Sequence, residues 1–229
     1  MMIVAIPRLL PAELVATINR EMDAAPHTSG NAAPGVRLES VKKNEELDTG
    51  TESFARLSEA VHAVLREHRN FQLLTMPKAM VPFLFSRYQP GMFYGDHNDQ
   101  AVMGRTTKIR TDMSVTIFLS DPASYDGGEL VLDTDTSPRP FKLNPGDAVI
   151  YPTFSLHRVE AVRRGERRAA VTWIQSAVRL PEHRQALTDV ALSLNWMINA
   201  MSVERAHAHI EFRRLQKVRA NLERLWAEP

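Results

Sequence analysis

The chain has 229 residues, of which 44% are hydrophobic, so it can bury a sizeable core in one large domain or in a domain with a small appendage. Its 28 lysines and arginines nearly balance 27 aspartates and glutamates, and the net charge of +1 gives no reason to expect nucleic acid as a partner. The absence of cysteine excludes disulfides, thiolate metal ligands and a cysteine nucleophile. Any metal must therefore be held by histidine, aspartate or glutamate.

The first residues do not have the pattern of a signal peptide. The short apolar stretch at residues 1–6 meets Pro7 and Arg8, and no basic residue precedes it. The apolar run at residues 79–85 contains Pro82 and is far too short to span a bilayer. We therefore expect a cytoplasmic protein with no membrane partner.

Two amphipathic helices are predicted near the front of the chain. In residues 11–22 and 54–65 the apolar positions recur at helical spacing. Pro11 suits a first turn, and Thr51 or Ser53 is placed to cap the second helix. The segment 26–48 between them is small, polar or charged, so we expect a loop there that contains one strand.

From residue 80 to residue 176 the pattern changes to short β-type runs separated by turn residues, which is typical of an antiparallel sandwich or barrel. The predicted strands cover residues 81–88, 94–99, 112–119, 129–134, 141–143, 148–151, 156–162 and 169–177. Pro145-Gly146 predicts a type II turn, because proline presets the first central angle and glycine permits a positive φ at the second.

After Arg179 the pattern is helical to residue 229, with two apolar stripes in residues 187–201 and 210–225. We expect three parts. They are N-terminal helices and a strand that pack on the core (1–77), the β-rich core (78–178) and a C-terminal helical domain (179–229). The stripes favour packing against the core, and part of them is available for a homo-oligomer contact.

His97 and Asp99 are candidate metal ligands, because side chains two positions apart on an extended chain point to the same face. His157 follows two predicted hairpins, on a strand that we expect to lie across the barrel from His97. Two histidines and one carboxylate form the facial triad that holds ferrous iron and leaves three positions open. The competing interpretations are a surface turn whose aspartate bonds backbone amides, and a core histidine with a local partner.

Arg167 and Arg168 stand at the start of the last predicted strand, and alternation assigns them to opposite faces, Arg167 together with Val171 and Trp173. Periodicity alone leaves open which face is inside. An inward guanidinium is costly to bury unless it meets a carboxylate, and a dicarboxylate co-substrate would supply one.

Several motifs together resemble the PKHD-type hydroxylases, bacterial relatives of prolyl and lysyl hydroxylases in the Fe(II)/2-oxoglutarate dioxygenase superfamily. The resemblance covers essentially the whole chain. It rests on Val41-Lys42-Lys43-Asn44, Arg87-Tyr88, Gly91, Tyr94, His97, Asp99, Leu119-Ser120-Asp121-Pro122, Ser124-Tyr125-Asp126-Gly127-Gly128-Glu129-Leu130, Pro145-Gly146-Asp147, Tyr151-Pro152, Leu156-His157, Gly165, Arg167 and Trp173-Ile174-Gln175-Ser176. The fold that it implies is mainly β with flanking helices (α+β), a double-stranded β-helix or jelly-roll barrel plus a C-terminal helical domain.

The resemblance also implies roles for individual residues. His97, Asp99 and His157 would bind Fe(2+), and Arg167 rather than Arg168 would pair with the tail carboxylate of 2-oxoglutarate. In animal prolyl hydroxylases a tyrosine on the central strand helps to hold that tail, whereas this chain has Phe118 there. Tyr88 or Tyr94 is a candidate for the missing hydroxyl, and Tyr88 is our choice for the second 2-oxoglutarate contact. Tyr94, Phe118 and Trp173 are possible pocket residues.

The reaction implied by the resemblance couples oxidative decarboxylation of 2-oxoglutarate to succinate and CO2 with C–H hydroxylation of an unknown small molecule or peptide. It consumes O2, and L-ascorbate is a family expectation. Asp99 favours hydroxylation over halogenation, because related halogenases need a small residue there to leave room for chloride.

Two other functions stay open at this point. One is a non-catalytic sensor of iron or 2-oxoglutarate linked to iron uptake, with the helical domain as its readout. The other is a cupin-type metal site without 2-oxoglutarate, for which replacing Arg167 would be harmless. In the segment 100–111, Arg105, Lys108 and Arg110 would suit an anionic substrate, or a solvated loop equally well.

Overall fold

The computed structural model describes residues 3–31, 40–104, 107–134 and 136–228. The helices are α1 Ala12–Ala24, α2 Glu52–Glu67, α3 Arg69–Thr75, α4 Pro181–Met201, α5 Val203–Ala208 and α6 Ile210–Trp226. The strands are β1 Val4–Ile6, β2 His27–Ser29, β3 Lys42–Lys43, β4 Glu45–Leu47, β5 Pro77–Met80, β6 Leu84–Tyr88, β7 Phe93–His97, β8 Val102–Met103, β9 Ile109–Arg110, β10 Met113–Phe118, β11 Leu130–Leu132, β12 Arg139–Phe141, β13 Ala148–Pro152, β14 His157–Val159 and β15 Arg167–Ser176. Among the described helices, none combines the length and the apolar character needed to cross a membrane.

The described strands form two large antiparallel sheets and one small hairpin. The larger sheet has the order β1-β13-β10-β15-β6-β4-β2, with β5 also paired to β15. The smaller sheet has the order β12-β11-β14-β7-β3, and β8 pairs with β9. This arrangement confirms the predicted class, mainly β with flanking helices. Within the described residues the two sheets do not join into a closed barrel; they form an open double-sheet jelly roll.

Two apolar clusters hold these layers together. The first packs α1 and α2 onto the outer face of the larger sheet and includes Ile18, Val61, Ile117 and Ala170. The second lies between the sheets and includes Phe118 from the larger sheet with Leu130, Leu132 and Val159 from the smaller one. Strand β10 is therefore covered on both faces, which explains why all six of its residues are buried.

The segment 26–48 differs from the prediction. Instead of a loop with one strand, its described residues contain three short strands, β2, β3 and β4. Strand β4 adds to β6 through Glu45↔Arg87 and Glu46↔Ser86, and β3 adds to β7. Strands of two or three residues are too short to show a periodicity in the sequence, so their pairing partners define them. Strand β1, with three residues, was not predicted for the same reason; strand β5, with four residues, and helix α3, with seven, were not predicted either.

The type II turn at Pro145-Gly146 is confirmed. Gly146 has a φ of +89°, and the amide of Asp147 donates to the carbonyl of Asn144 at 3.0 Å. Asp147 also accepts from the backbone amide of Arg8 at 2.7 Å, which ties the segment after β1 to the turn before β13.

The N-terminal cap of α2 is Thr51, whose Oγ1 accepts from the amide of Phe54 at 3.2 Å. We expect Thr51→Ala to lower the free energy of unfolding by about 1 kcal/mol, because one orphan amide loses its acceptor. Urea denaturation measures this change. Thr17→Ala in α1 is the matched control. The hydroxyl of Thr17 donates to the carbonyl of Glu13 and accepts from Arg20 on the exposed side of the same helix, so its loss should leave the stability nearly unchanged.

Helices α4 to α6 pack on one another through Leu194, Met197, Ala206 and Phe212. The chain end returns to the core at the bridge Val178↔Ala227. Exposed apolar side chains on these helices include Trp196, which is 68% exposed. The division into three parts and the homo-oligomer contact stay predictions.

Candidate active site

Three potential metal ligands converge where two inner strands of the smaller sheet end. His97 ends β7 and His157 begins β14, and the two residues are directly paired across these neighbouring strands. The Nε2 atoms of His97 and His157 lie 3.8 Å and 3.7 Å from the two carboxylate oxygens of Asp99. One ligand atom from each residue lies within 4.8 Å of the others, as a single shared cation requires.

The route to this geometry differs in two respects from the sequence argument. Asp99 lies beyond the end of β7 rather than on the strand, so strand alternation does not place it. His157 lies beside His97, with ring centroids 4.1 Å apart, and not across a barrel from it. The chain leaves the strand after His97 and turns the Asp99 carboxylate back toward both imidazoles.

Backbone carbonyls fix the orientation of both imidazoles. His97 Nδ1 lies 2.8 Å from the carbonyl of Gly95, and His157 Nδ1 lies 2.9 Å from the carbonyl of Ser155. Because a carbonyl only accepts, each Nδ1 is the donor of its hydrogen bond, and each Nε2 lies on the side of Asp99. The two Nε2 atoms and one carboxylate oxygen can therefore supply the three ligand atoms of the 2-His-1-carboxylate set for ferrous iron.

Ser114 supports Asp99 from β10. Its hydroxyl donates to Asp99 Oδ2 at 2.7 Å, and the serine is fully buried. We expect Ser114→Ala to weaken binding of a divalent metal by about 10- to 100-fold, the usual cost of losing an outer-shell partner. Anaerobic Fe(II) competition with a chelator measures this. Ser86→Ala is the control, because Ser86 lines the same cavity but forms no hydrogen bond with Asp99 among the described residues; it should keep the wild-type affinity. Equal affinities for wild type, Ser114→Ala and Ser86→Ala would contradict the role of Ser114.

Arg167 is buried without a carboxylate. It is 2% exposed, and no described residue forms a salt bridge with it or accepts a hydrogen bond from its guanidinium. The guanidinium instead lies over the ring of Tyr88, 5.0 Å from the centroid, and 5.8 Å from that of Phe118. Burying an unpaired cation costs several kcal/mol by general estimates. The uncompensated positive charge therefore makes this site suitable for binding an anionic ligand.

Gly128 makes room for this arginine. A Cβ at position 128 would lie 3.0 Å from Cδ of Arg167 and 3.1 Å from Cε2 of Tyr125, and the glycine has a φ of +68°. Any side chain there would push against the buried guanidinium stem and would also be strained by the backbone. Gly128 is thus part of the arginine site.

The metal ligands and Arg167 share one cavity of about 380 Å³ between the two sheets. Arg167, Val171 and Trp173 line it, so this face of β15 is the inner one, and Arg168 lies outside, paired with Asp23 and Glu166. The larger sheet contributes the arginine, and the smaller sheet contributes the histidines. A ligand in the cavity can therefore reach the metal ligands and the guanidinium at the same time.

The aromatic residues predicted for the pocket fall at different places. Tyr88 is the cross-strand neighbour of Arg167, and burial raises the pKa of its hydroxyl to about 12, so it is a neutral donor at pH 7. Tyr94 stacks on His97, with centroids 3.5 Å apart. Trp173 lines the cavity, and no described residue accepts from its Nε1. Phe118 lies behind Arg167 and is not part of the described cavity wall.

Most residues of the cavity wall were not predicted as site residues, and two pairs of polar ones among them interact with each other. Thr116, two positions before Phe118 on β10, and Tyr151 on β13 both line it, and their hydroxyls are hydrogen-bonded to each other. Burial and then the Asp99 charge raise the pKa of Tyr151. Lys42 and Glu46 line the opposite side and form a salt bridge of 2.8 Å. Thr116 could have been found from the sequence, because strand alternation places it on the same face of β10 as Ser114 and Phe118. The positions of Tyr151, Lys42 and Glu46 in the cavity depend on the pairing of distant strands.

Comparison with known proteins agrees with this geometry. Residues 83–175 match the 2OG-Fe(II) oxygenase superfamily. A PKHD-type hydroxylase of Thioalkalivibrio sulfidiphilus is 42% identical over 228 residues, which are 99% of this chain and 100% of the relative. One of Thermosynechococcus vestitus is 39% identical over the same share of both chains.

Two solved structures are similar in fold. A prolyl-4-hydroxylase of Pseudomonas putida has a TM-score of 0.54 at 22% identity and covers 76% of this chain and 92% of its own. A prolyl hydroxylase of Trichoplax adhaerens, in complex with a peptide fragment of the hypoxia inducible factor oxygen degradation domain, has a TM-score of 0.54 at 14% identity and covers 81% and 86%.

Proposed function

The chain belongs to the PKHD-type hydroxylases of the 2OG-Fe(II) oxygenase superfamily and is an enzyme of this class; from this membership we propose that its cavity binds Fe(2+) and 2-oxoglutarate and hydroxylates a C–H bond of a second substrate. His97, Asp99 and His157 would hold the iron, and Arg167 would hold the tail carboxylate of the co-substrate. The observation that carries the proposal is the unpaired, buried Arg167 in the cavity that the three ligands share.

The bound iron would supply the oxidative chemistry that couples decarboxylation of 2-oxoglutarate by O2 to hydroxylation. The protein supplies the positions of the reactants. Arg167 offers a planar set of N–H donors, which suits a carboxylate bound by two parallel hydrogen bonds. The neutral hydroxyl of Tyr88 lies at the same end of the cavity and is our candidate for the second contact to the tail.

Aromatic rings of the cavity wall pack against both metal-binding imidazoles. Tyr94 covers one face of His97, and Tyr151 packs edge-on against His157 at a centroid distance of 5.1 Å. Both metal-binding imidazoles are thus held in place by aromatic rings as well as by their backbone carbonyls. Trp173 would then line the chamber for the prime substrate.

The test is O2-dependent formation of succinate from 2-oxoglutarate by the iron-loaded protein, with and without a broad panel of candidate peptides and small molecules. We expect slow succinate formation without a prime substrate, faster formation with the right one, and none without iron or O2. Absence of O2-dependent succinate across the panel would count against the proposal. Stimulation by L-ascorbate and a cytoplasmic location remain predictions of the same hypothesis.

The sensor hypothesis is not favoured, because the full-length relatives are hydroxylases. The cupin-type hypothesis leaves the burial of Arg167 unexplained. It predicts that 2-oxoglutarate does not bind and that the arginine is dispensable.

A further inference from the structure

We propose that Glu46 is a specificity residue that receives a cationic, N–H-bearing group of the prime substrate, such as a primary ammonium or guanidinium at the end of an apolar stem. This inference rests on the proposed function, because it takes the outer part of the cavity as the chamber for the prime substrate. Glu46 lines that cavity from β4, and its side chain is only 16% exposed.

The neighbouring cation, Lys42, already contacts groups of the protein. Its Nζ donates to Glu46 Oε1 at 2.8 Å and to the carbonyl of Gly30 at 3.0 Å, and it lies 5.0 Å from the ring centroid of Tyr94. The two acceptors use two of the three N–H donors of the ammonium group, and the ring of Tyr94 adds a cation–π contact. Most of the binding capacity of Lys42 is therefore taken by groups of the protein itself.

The carboxylate of Glu46 is only partly used. Oε1 accepts from Lys42, whereas no described residue donates a hydrogen bond to Oε2. A carboxylate oxygen on a cavity wall that is only slightly solvated forms a strong hydrogen bond with a charged donor. The pair Lys42–Glu46 links β3 of the smaller sheet to β4 of the larger one and so presents this oxygen at a fixed place.

The apolar residues of the same cavity suit the stem of such a substrate. They include Val81, Leu84, Met103, Val171 and Trp173. The metal site is close, because Tyr94 contacts both Lys42 and His97. An apolar stem held at one end by Glu46 would therefore pass along the wall that leads to the iron ligands.

The basic residues of the segment 100–111 do not favour an anionic substrate instead. Arg110 is engaged by Asp112 at 2.8 Å and Glu228 at 3.0 Å, and it is not among the cavity-lining residues. Lys108 donates to the carbonyl of Gly104 and is exposed. Arg105 lies outside the described residues.

The test compares hexylammonium with 1-hexanol, which share the stem and differ in charge. Binding is measured by calorimetry on protein loaded with Mn(II) and 2-oxoglutarate, so that no turnover occurs. We expect wild type to prefer hexylammonium by about tenfold or more, as a charge-assisted hydrogen bond allows. In Glu46→Gln the preference should fall to about twofold or less, because the neutral amide keeps the size but loses the charge.

Lys42→Met separates recognition from a structural role. It keeps the stem over Tyr94 but removes the competing ammonium, so hexylammonium should bind more tightly than in wild type. If the pair only stabilised the fold, both variants would bind the probe more weakly. That result, no preference in wild type, or an undiminished preference in Glu46→Gln would overturn the inference.

Titration of each Mn(II) protein with 2-oxoglutarate alone keeps the two proposals distinguishable. Normal 2-oxoglutarate binding without a preference for the cation overturns only the role of Glu46. A wild-type protein that does not bind 2-oxoglutarate overturns the proposed function and this inference with it.

Discussion

Arg167→Met is expected to raise the dissociation constant of 2-oxoglutarate by at least about 100-fold, which corresponds to ~2.7 kcal/mol. The variant removes the charge that faces the tail carboxylate and keeps an apolar side chain of similar length. Without ligand, the variant should be as stable as wild type or more stable, because the guanidinium is buried without a carboxylate among the described residues. Thermal unfolding of the Mn(II) proteins with increasing 2-oxoglutarate measures both effects, since binding to the folded state raises the Tm.

Arg168→Met is the matched control. This neighbour lies on the opposite face of β15, where it pairs with Asp23 and Glu166. Its replacement should leave the affinity for 2-oxoglutarate unchanged. An unchanged affinity in Arg167→Met, or a ligand-free Tm well below that of wild type, would show that Arg167 serves the fold and not an anion.

Asp99→Asn is expected to lower the affinity for Fe(II) by at least about 100-fold, beyond the usual cost of changing an outer-shell partner. The amide keeps the shape and can still accept from Ser114, but it no longer supplies the negative charge that two neutral imidazoles lack. Anaerobic competition with a chelator gives the affinity directly. Succinate formation should fall in parallel.

Asp96→Asn controls for a general loss of negative charge near the cavity. Asp96 lies on β7, three residues before Asp99, but its side chain is 58% exposed and its salt bridge is to Arg158, at 3.5 Å. The Asp96→Asn protein should bind Fe(II) with the wild-type affinity. Equal losses in the two variants would mean that the region binds metal by diffuse charge and not through Asp99.

The chemistry of the site could be predicted from the sequence further than its geometry. The residue types of His97, Asp99 and His157 restrict which metals could bind, and the expectation that Arg167 pairs with an anion follows from the cost of burying a guanidinium. Alternation on β15 placed Arg167 on the same face as Val171 and Trp173, but it did not show whether this face or the opposite one lies inside. The structure decides this because α1 and α2 cover the opposite face.

The remaining features depend on contacts between distant segments. The hydrogen bond of Thr116 with Tyr151 and the support of Asp99 by Ser114 require the register of β10 against its neighbours. The salt bridge of Lys42 with Glu46 joins strands of two and three residues, which have no periodicity of their own. Such strands exist because a sheet edge is available to pair with them, and a single sequence does not show that edge.

An anaerobic titration of the wild-type Fe(II) protein with 2-oxoglutarate tests the central claim most directly. Bidentate chelation of the iron by the keto acid produces a visible metal-to-ligand charge-transfer band. We predict that the band appears in wild type, saturates at one 2-oxoglutarate per iron and requires far more 2-oxoglutarate in Arg167→Met. A folded, iron-loaded wild-type protein that shows no band would contradict the proposed function and would favour the hypothesis of a cupin-type metal site.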